Sequence, residues 1–266
     1  MFGQNLSNFE VILIDSGSKD RTLQIASEFP LRIISIDEED FHHARTRNLG
    51  VSLSKGKYIV FLTADAYPIN AAWLNELLEP FKNEQIAATY SRQIPLNKTN
   101  PIERAFLELT YPRDNRKIVL KEVLEGDPSN FVLLSDVSSA YRKEVVEFNE
   151  AIKFCEDQEI ALRLLEAGHG VAYVPTSLVC HAHNYSIASL LKRYYFVGKS
   201  AAEFLGKGFD PFQSLRYAVR LFSSSFAYVI RNSGTKKKTY WFFYSIFYNS
   251  LKILAFGLGH MLAGIH

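Results

Sequence analysis

The sequence predicts an α/β fold, a mostly parallel sheet flanked by helices, with a helical extension at the C-terminus. Three observations predict it. Short apolar, β-branched runs alternate with helix-like segments at the spacing of βαβ units. The first and third of these runs lead into small polar residues and an aspartate, the pattern of strands that end at a ligand crevice. After Asn184 the composition turns aromatic and basic, and the pattern becomes helical throughout. A chain of 266 residues can bury a full-sized core, and 47% apolar against 22% charged residues excludes wholesale disorder.

The elements follow in order. Phe9–Asp15 reads as a buried strand running into the turn Asp15-Ser16-Gly17-Ser18, with Ser18 as N-cap of a helix from Lys19 to Glu28. Pro30 ends that helix, and Leu31–Ile36 is a second strand. His43–Ser54 is helical with Gly56 beyond it, Lys57–Thr63 is a third strand, and a helix covers Asn70 to Lys82. Ile86–Ser91 reads as a strand, Pro101–Leu109 as a helix, and the charged stretch 113–127 as a surface excursion. Glu156–Ala167 is a helix stopped by Gly168, and short β segments, Val171–Val174 and Leu178–His181, flank Pro175.

The segments Ile187–Leu205, Pro211–Ile230 and Tyr240–Ile265 are expected to form aromatic-rich helices. This divides the chain into a catalytic-type α/β domain, 1–185, and an extension, 186–266. From residue 187 onward, eleven Lys/Arg face only Glu203 and Asp210, a net +9, which leaves 19 basic and 26 acidic residues, −7, for the rest. A basic tail on an acidic body suggests an anionic surface as partner. Its aromatics lie in long apolar runs rather than alternating with polar base-reading groups, which disfavours nucleic acid. Tyr240–Ile265 nearly has the length of a span, but Lys252 and several glycines interrupt it. An interfacial helix behind the basic step Lys236-Lys237-Lys238 fits better. Cys155 and Cys180 make no disulfide framework or metal finger and are expected as small buried residues. The N-terminal stretch has no basic region and no long apolar run, so it does not read as a signal peptide, and a reducing, cytosolic setting is expected.

Four groups of residues can carry chemistry. Asp15, at the end of its strand, can accept hydrogen bonds from a base or ribose, or can simply cap the next segment. Asp65, after the third strand, can supply a carboxylate to Mg2+ or Mn2+, whose other positions diphosphate and water fill. Glu156 and Asp157 open a helix, where the dipole favours carboxylates anyway, and either can act as a general base. His181 and His183 share one face of an extended strand, although no third ligand stands near them in sequence.

Taken in order, Val11–Thr22, Ala44–Gly50, Gly56–Pro68, Ser138–Arg142, Glu156–Gly168 and Val171–His181 resemble glycosyltransferase family 2, and most closely its bacterial rhamnosyltransferase-like branch. The resemblance covers about residues 8–195. It implies a GT-A-like fold and an inverting transfer of a sugar, rhamnose or another hexose, from a nucleoside-diphosphate donor. The implied acceptor is a glycan or lipid-linked molecule, and the implied setting is surface polysaccharide synthesis at the cytoplasmic membrane face. It assigns the nucleotide to Asp15, Ser16, Arg47, Asn48, Ala64 and Asp65, the Mg2+ or Mn2+ to Asp65 and His181, and the catalytic base to Asp157 with Glu156 beside it.

Two departures qualify this pattern. Thr63 stands where the first acid of the family's Asp-x-Asp motif is expected, as is frequent in this branch. Family members also begin with a further strand and helix, whereas Met1-Phe2-Gly3-Gln4 falls inside that helix. The resemblance therefore implies an exposed sheet flank, lower stability and weaker donor binding. It also leaves open an inactive, membrane-associated member acting as an assembly partner.

Overall fold

The computed structural model of the protein describes residues 1–113, 117–119, 134–205, 219, 223, 225–231 and 235–263. The N-terminal part opens with β1 (Ile12–Asp15), α1 (Thr22–Ala26) and β2 (Arg32–Ser35). β1 and β2 pair in parallel, with Ile12 opposite Arg32 and Asp15 opposite Ser35. Asp20 Oδ1 accepts from Thr22 N at 2.9 Å at the start of α1, so Ser18 is not its cap. α2 (His43–Leu53) is capped by the imidazole of His42, which accepts from Arg45 N.

The second sheet contains β3 (Tyr58–Leu62), β4 (Tyr67–Pro68), β5 (Ile86–Ile94), β6 (Lys117–Val119), β7 (Ser138–Arg142) and β8 (Gly170–Cys180). The strand order is β3-β7-β5-β8-β4, with β6 also on β8. The α/β class stands, but a mostly parallel sheet does not. β1/β2 and β5/β8 are the parallel pairs; β3/β7, β5/β7, β4/β8 and β6/β8 are antiparallel. The cause is β7, which inserts between β3 and β5 from far along the chain and runs against both. Among the described residues, β1 and β2 pair only with each other and β3 only with β7; the side chains of β1 and β3 are nevertheless half-buried or buried.

β8 is one strand of eleven residues rather than two short segments. Its register against β5 jumps from Ser91↔Val174 to Arg92↔Leu178, so Pro175 sits in an irregularity where its missing N–H costs no ladder bond. The expected excursion at 113–127 lies mostly outside the described residues, apart from β6, which pairs with β8.

α3 (Trp73–Leu78), followed by a 3-10 turn at Glu79–Lys82, covers one face of this sheet. Trp73 is fully buried, and its indole N–H donates to the hydroxyls of Ser91 (3.1 Å) and Ser138 (3.0 Å). α4 (Pro101–Thr110) has Asn100 as N-cap, accepting from Ile102 N and Glu103 N, and Pro101 in its first turn. α5 (Glu156–Glu166) follows Cys155, which has a φ of 60°. Cys155 and Cys180 are half-buried, not fully buried as expected.

The extension contains α6 (Ile187–Leu205) and α7 (Thr235–Leu262); residues 225–231 are also helical, and most of the expected Pro211–Ile230 helix lies outside the described residues. α6 and α7 cross in close contact at two glycines. A Cβ on Gly198 would lie 2.0 Å from the Phe256 carbonyl oxygen, and one on Gly259 would lie 1.9 Å from that of Tyr195. Gly259→Ala is therefore expected to destabilise by about 2–3 kcal/mol, because backbone must move. The gain of about 1 kcal/mol in helix propensity does not offset this. Thermal unfolding with a melting point unchanged or raised would refute the close crossing.

The extension docks on α4 through a buried ion pair. Lys252 Nζ lies 2.9 Å from Glu103 Oε1 and within about 5 Å of the Phe106, Tyr194 and Tyr248 rings. The lysine that interrupts the apolar pattern thus points inward, at 1% exposure. Among the described residues no helix is long and apolar enough to cross a membrane.

Candidate active site

The predicted residues sit at or just after strand ends, on α2 and in the first turn of α5. Asp15 closes β1, where its Oδ2 accepts from the N–H groups of Gly17 and Ser18, both at 3.1 Å. Hydrogen bonds from Ser18 and Gly17 hold its carboxyl below the usual aspartate range. Gly17 has a φ of 91°, which this turn needs and a β-carbon would oppose. Ser16 is half-buried beside it, and Ala64 is exposed after β3.

Arg47 and Asn48, two expected nucleotide contacts, are engaged by protein groups. Arg47 Nε lies 3.2 Å from Asp136 Oδ2, its other arm bonds Glu156 Oε1, and its plane rests near the Phe61 and Phe148 rings. Burial opposes its charge, but the carboxylates of Asp136, Glu156 and Asp157 outweigh that and keep it protonated. Asn48 donates to Phe148 O (2.9 Å) and Glu150 Oε1 (3.1 Å) and accepts from Phe148 N (2.8 Å). Its amide fixes the 148–150 segment.

Asp136 was not visible as a site residue in the sequence. It is 1% exposed, and its Oδ1 accepts from Ser139 Oγ (2.6 Å) and Tyr141 Oη (2.7 Å). Burial raises its pKa against the pull of Arg47 and of these hydroxyls. The only local signal was its place two residues before Ser138–Arg142.

Asp157 sits between these groups and open space. Its Oδ2 faces Asp136 N at 3.4 Å, and its Oδ1 accepts from Gln158 N at 2.9 Å. Burial, with Glu156 and Asp136 nearby, pushes its pKa up to about 7 although Arg47 opposes this. Glu156 is held by Arg47 and is buried; Asp157 alone of the two lines the adjoining cavity.

Asp65 meets two histidines. His181 Nε2 and His183 Nε2 each lie 3.5 Å from Asp65 Oδ2, and the three ligand atoms fall within 4.8 Å of one another. Asp65 offers the third potential ligand that the histidine pair lacks in sequence, and His183 joins the pair that the resemblance limited to Asp65 and His181. Gln93 fixes the ring of His181: its Oε1 lies 2.8 Å from Nδ1, while its amide nitrogen donates to Tyr111 Oη and Ser135 Oγ. With Nδ1 turned to Gln93, Nε2 is the ring atom on the Asp65 side that could ligate a metal, the arrangement that orients metal-binding imidazoles. Burial lowers the His181 pKa to about 4 although Asp65 raises it, so the ring is neutral at neutral pH. Thr63, at the position of the family's first acid, buries its Oγ1, and its hydroxyl helps to hold the Asp65 carboxyl low against the effect of burial. One carboxylate and two imidazoles within this distance could hold a divalent metal ion.

One residue of the first cluster, Asp157, and two of the second, His181 and His183, line a common cavity of about 230 Å³ between the sheet and the helices of the extension. Asp157, His181 and His183 line it together with Tyr185, Arg193 and Lys252. Lys252 is neutralised by Glu103, whereas Arg193 stacks over the Tyr185 ring at 5.5 Å. An anionic leaving group and an acceptor hydroxyl can thus meet between a base and a set of metal ligands.

The chain is similar to known proteins in sequence and in fold. The model of the family described as glycosyl transferase family 2 matches residues 2–147. The chain is 34% identical over 196 residues to the O-antigen chain rhamnosyltransferase RfbN of Salmonella typhimurium, covering 71% of this chain and 62% of that protein. It is 34% identical over 194 residues to the O-antigen chain rhamnosyltransferase WbaN of Salmonella anatum, covering 71% and 61%. It thus spans about three fifths of the length of these curated relatives. In fold it is similar to the mannosyltransferase PcManGT from Pyrobaculum calidifontis, solved with GDP-Man and Mn2+. The TM-score is 0.64 at 13% identity, with 99% of this chain and 81% of that one covered. TarS 1–349 of S. aureus is similar with a TM-score of 0.55 at 14% identity, covering 98% and 84%.

Proposed function

The chain belongs to glycosyl transferase family 2 and has the GT-A fold with C-terminal helices, and from that premise we propose that it is an inverting glycosyltransferase of surface polysaccharide synthesis. It moves rhamnose or another hexose from a nucleoside-diphosphate donor to a hydroxyl of a glycan or lipid-linked acceptor. The observation that carries this reading is the shared cavity lined by Asp157, His181 and His183, the two histidines being grouped with Asp65.

In this reaction Asp157 removes the proton of the acceptor hydroxyl as its oxygen attacks the anomeric carbon and the bond to the diphosphate breaks. A carboxyl with a pKa of about 7 is matched to that task at neutral pH. Arg47 is a positioning residue: it holds Glu156 and Asp136, which set the field at Asp157. Asp65, His181 and His183 would hold Mn2+, which offsets negative charge on the leaving diphosphate. Arg193 supplies a second positive charge to the same cavity. Asp15, which ends β1, and Ser16 after it would meet the nucleoside, while Arg47 and Asn48 would serve the protein side of the site. The +9 segment from residue 187 supports a location on the cytoplasmic face of the cell membrane.

The test is hydrolysis and transfer with a panel of nucleoside-diphosphate hexoses and deoxyhexoses in Mn2+. Release of nucleoside diphosphate from at least one donor, rising when a glycan or lipid-linked acceptor is added, is the expected result. Full-length protein that binds Mn2+ yet turns over no donor would end the enzymatic reading.

A further inference from the structure

α7 shows the protein one face and leaves the other bare. Ser245, Tyr248, Asn249, Lys252 and Ala255 are buried on the inner face. On the outer face Tyr240, Phe243, Phe247, Leu254, Leu258 and Met261 are each 49–63% exposed. At 100° per residue these six fall within an arc of about 60°, and they run for about 32 Å along the helix. Phe226 and Ile230 extend the apolar surface sideways, since Phe226 packs on Phe242 at 5.3 Å. A stripe of this size on a water-soluble surface marks an interaction site.

We propose that this stripe is the surface on which the protein docks to an anionic lipid bilayer, with α7 lying in the plane of the interface. The inference rests on the membrane-face location proposed above and names the residues that make the contact. Charge selects the occupant. The stripe begins beside the exposed Lys237 and near the exposed Arg231, within a segment of net +9. Pairing two copies through this face would oppose two such segments, whereas anionic headgroups neutralise them. The side chains suit the interface: aromatic residues beside the basic flank at one end and Leu, Leu and Met along the other all lie on the one face that would turn to the lipid.

The opposite side of the same helix supplies Lys252, Ile253 and Phe256 to the reaction cavity. Docking therefore places the cavity about one helix diameter, roughly 10 Å, from the lipid. A lipid-linked acceptor can keep its tail in the bilayer while its sugar enters between Asp157 and the histidines.

The experiment is co-sedimentation of the full chain with vesicles of phosphatidylcholine, with and without phosphatidylglycerol. The parent protein is expected to pellet with the anionic vesicles and to be released by salt. The triple variant Phe243→Ser, Leu254→Ser, Leu258→Ser is expected to bind at least about tenfold more weakly, with donor hydrolysis unchanged. As a second readout, Phe243→Trp should give new fluorescence that shifts to the blue and is quenched by acyl-brominated lipid. The proposal is overturned if the triple variant pellets like the parent, if the parent stays in the supernatant, or if the new tryptophan ignores lipid. It is equally overturned if the parent is a dimer in sedimentation equilibrium that the triple variant dissociates. A parent that binds vesicles but hydrolyses no donor defeats the enzymatic reading and leaves the docking surface standing.

Discussion

Replacing Asp157 with asparagine should lower sugar transfer by about 10²–10⁴-fold while nucleotide binding changes little. Asparagine keeps the size of the side chain and cannot take a proton, so the loss reports the base itself. The pH profile gives a second, independent reading. Burial beside Glu156 and Asp136 raises the carboxyl to about 7, so Asp157 is ionised only above that pH. Turnover of the parent should climb through pH 6–8 and then level off, and this limb should disappear in Asp157→Asn. Because Asp136 and Glu156 interact with Asp157, the apparent midpoint belongs to the cluster. The linkage has a definite sign. A carboxyl whose folded pKa lies above its unfolded value near 4 holds its proton more tightly when folded, so its ionisation costs stability as pH rises through about 4–7. Asp157→Asn should therefore be more stable than the parent at pH 8 and about equal to it near pH 4. Unchanged transfer in Asp157→Asn would remove the base and favour an inactive assembly partner.

Removal of His183 tests the metal ligands. His183→Ala leaves two of three donors, and Mn2+ affinity should fall by at least about 100-fold. Gln93→Ala keeps all three but frees the His181 ring, and a loss of about 10–100-fold is expected. Titration of Mn2+ followed by its magnetic resonance signal measures both without any substrate. Thr63→Asp should do the reverse by adding an oxygen ligand beside Asp65, shifting preference toward Mg2+. His181 has its pKa near 4, so proton competition at that ring is absent above about pH 5. Parent-like Mn2+ binding by His183→Ala would exclude it as a ligand.

The α/β class, nearly every helix, and the placement of Asp15, Asp65, Glu156 and Asp157 at element ends were legible in the sequence. Each depends on local patterning: apolar runs of four to seven residues, a following turn, and a glycine or proline stop. α6 was bounded at Ile187–Leu205 for this reason. Strand direction was not legible, because β7 reaches β3 and β5 only after a long intervening segment, and periodicity carries no pairing partner. Asp136 was missed for a similar reason. Nothing near it in sequence announces that Arg47, Ser139 and Tyr141 will converge on its carboxyl.

The sequence by itself determined what this chain is made of: a family 2 α/β domain, a pair of carboxylates at a helix start, a histidine pair and a basic aromatic tail. Tertiary structure alone decided which of these act together. It turned Arg47 and Asn48 toward protein groups, brought His183 to Asp65, and pointed Lys252 inward to Glu103. It also left one face of α7 bare, although apolar residues surround that helix on several sides. The physical reason is common to all four. A side chain's chemistry is written in its own identity, but its pKa, partner and exposure are set by groups distant in sequence that packing brings within a few ångströms.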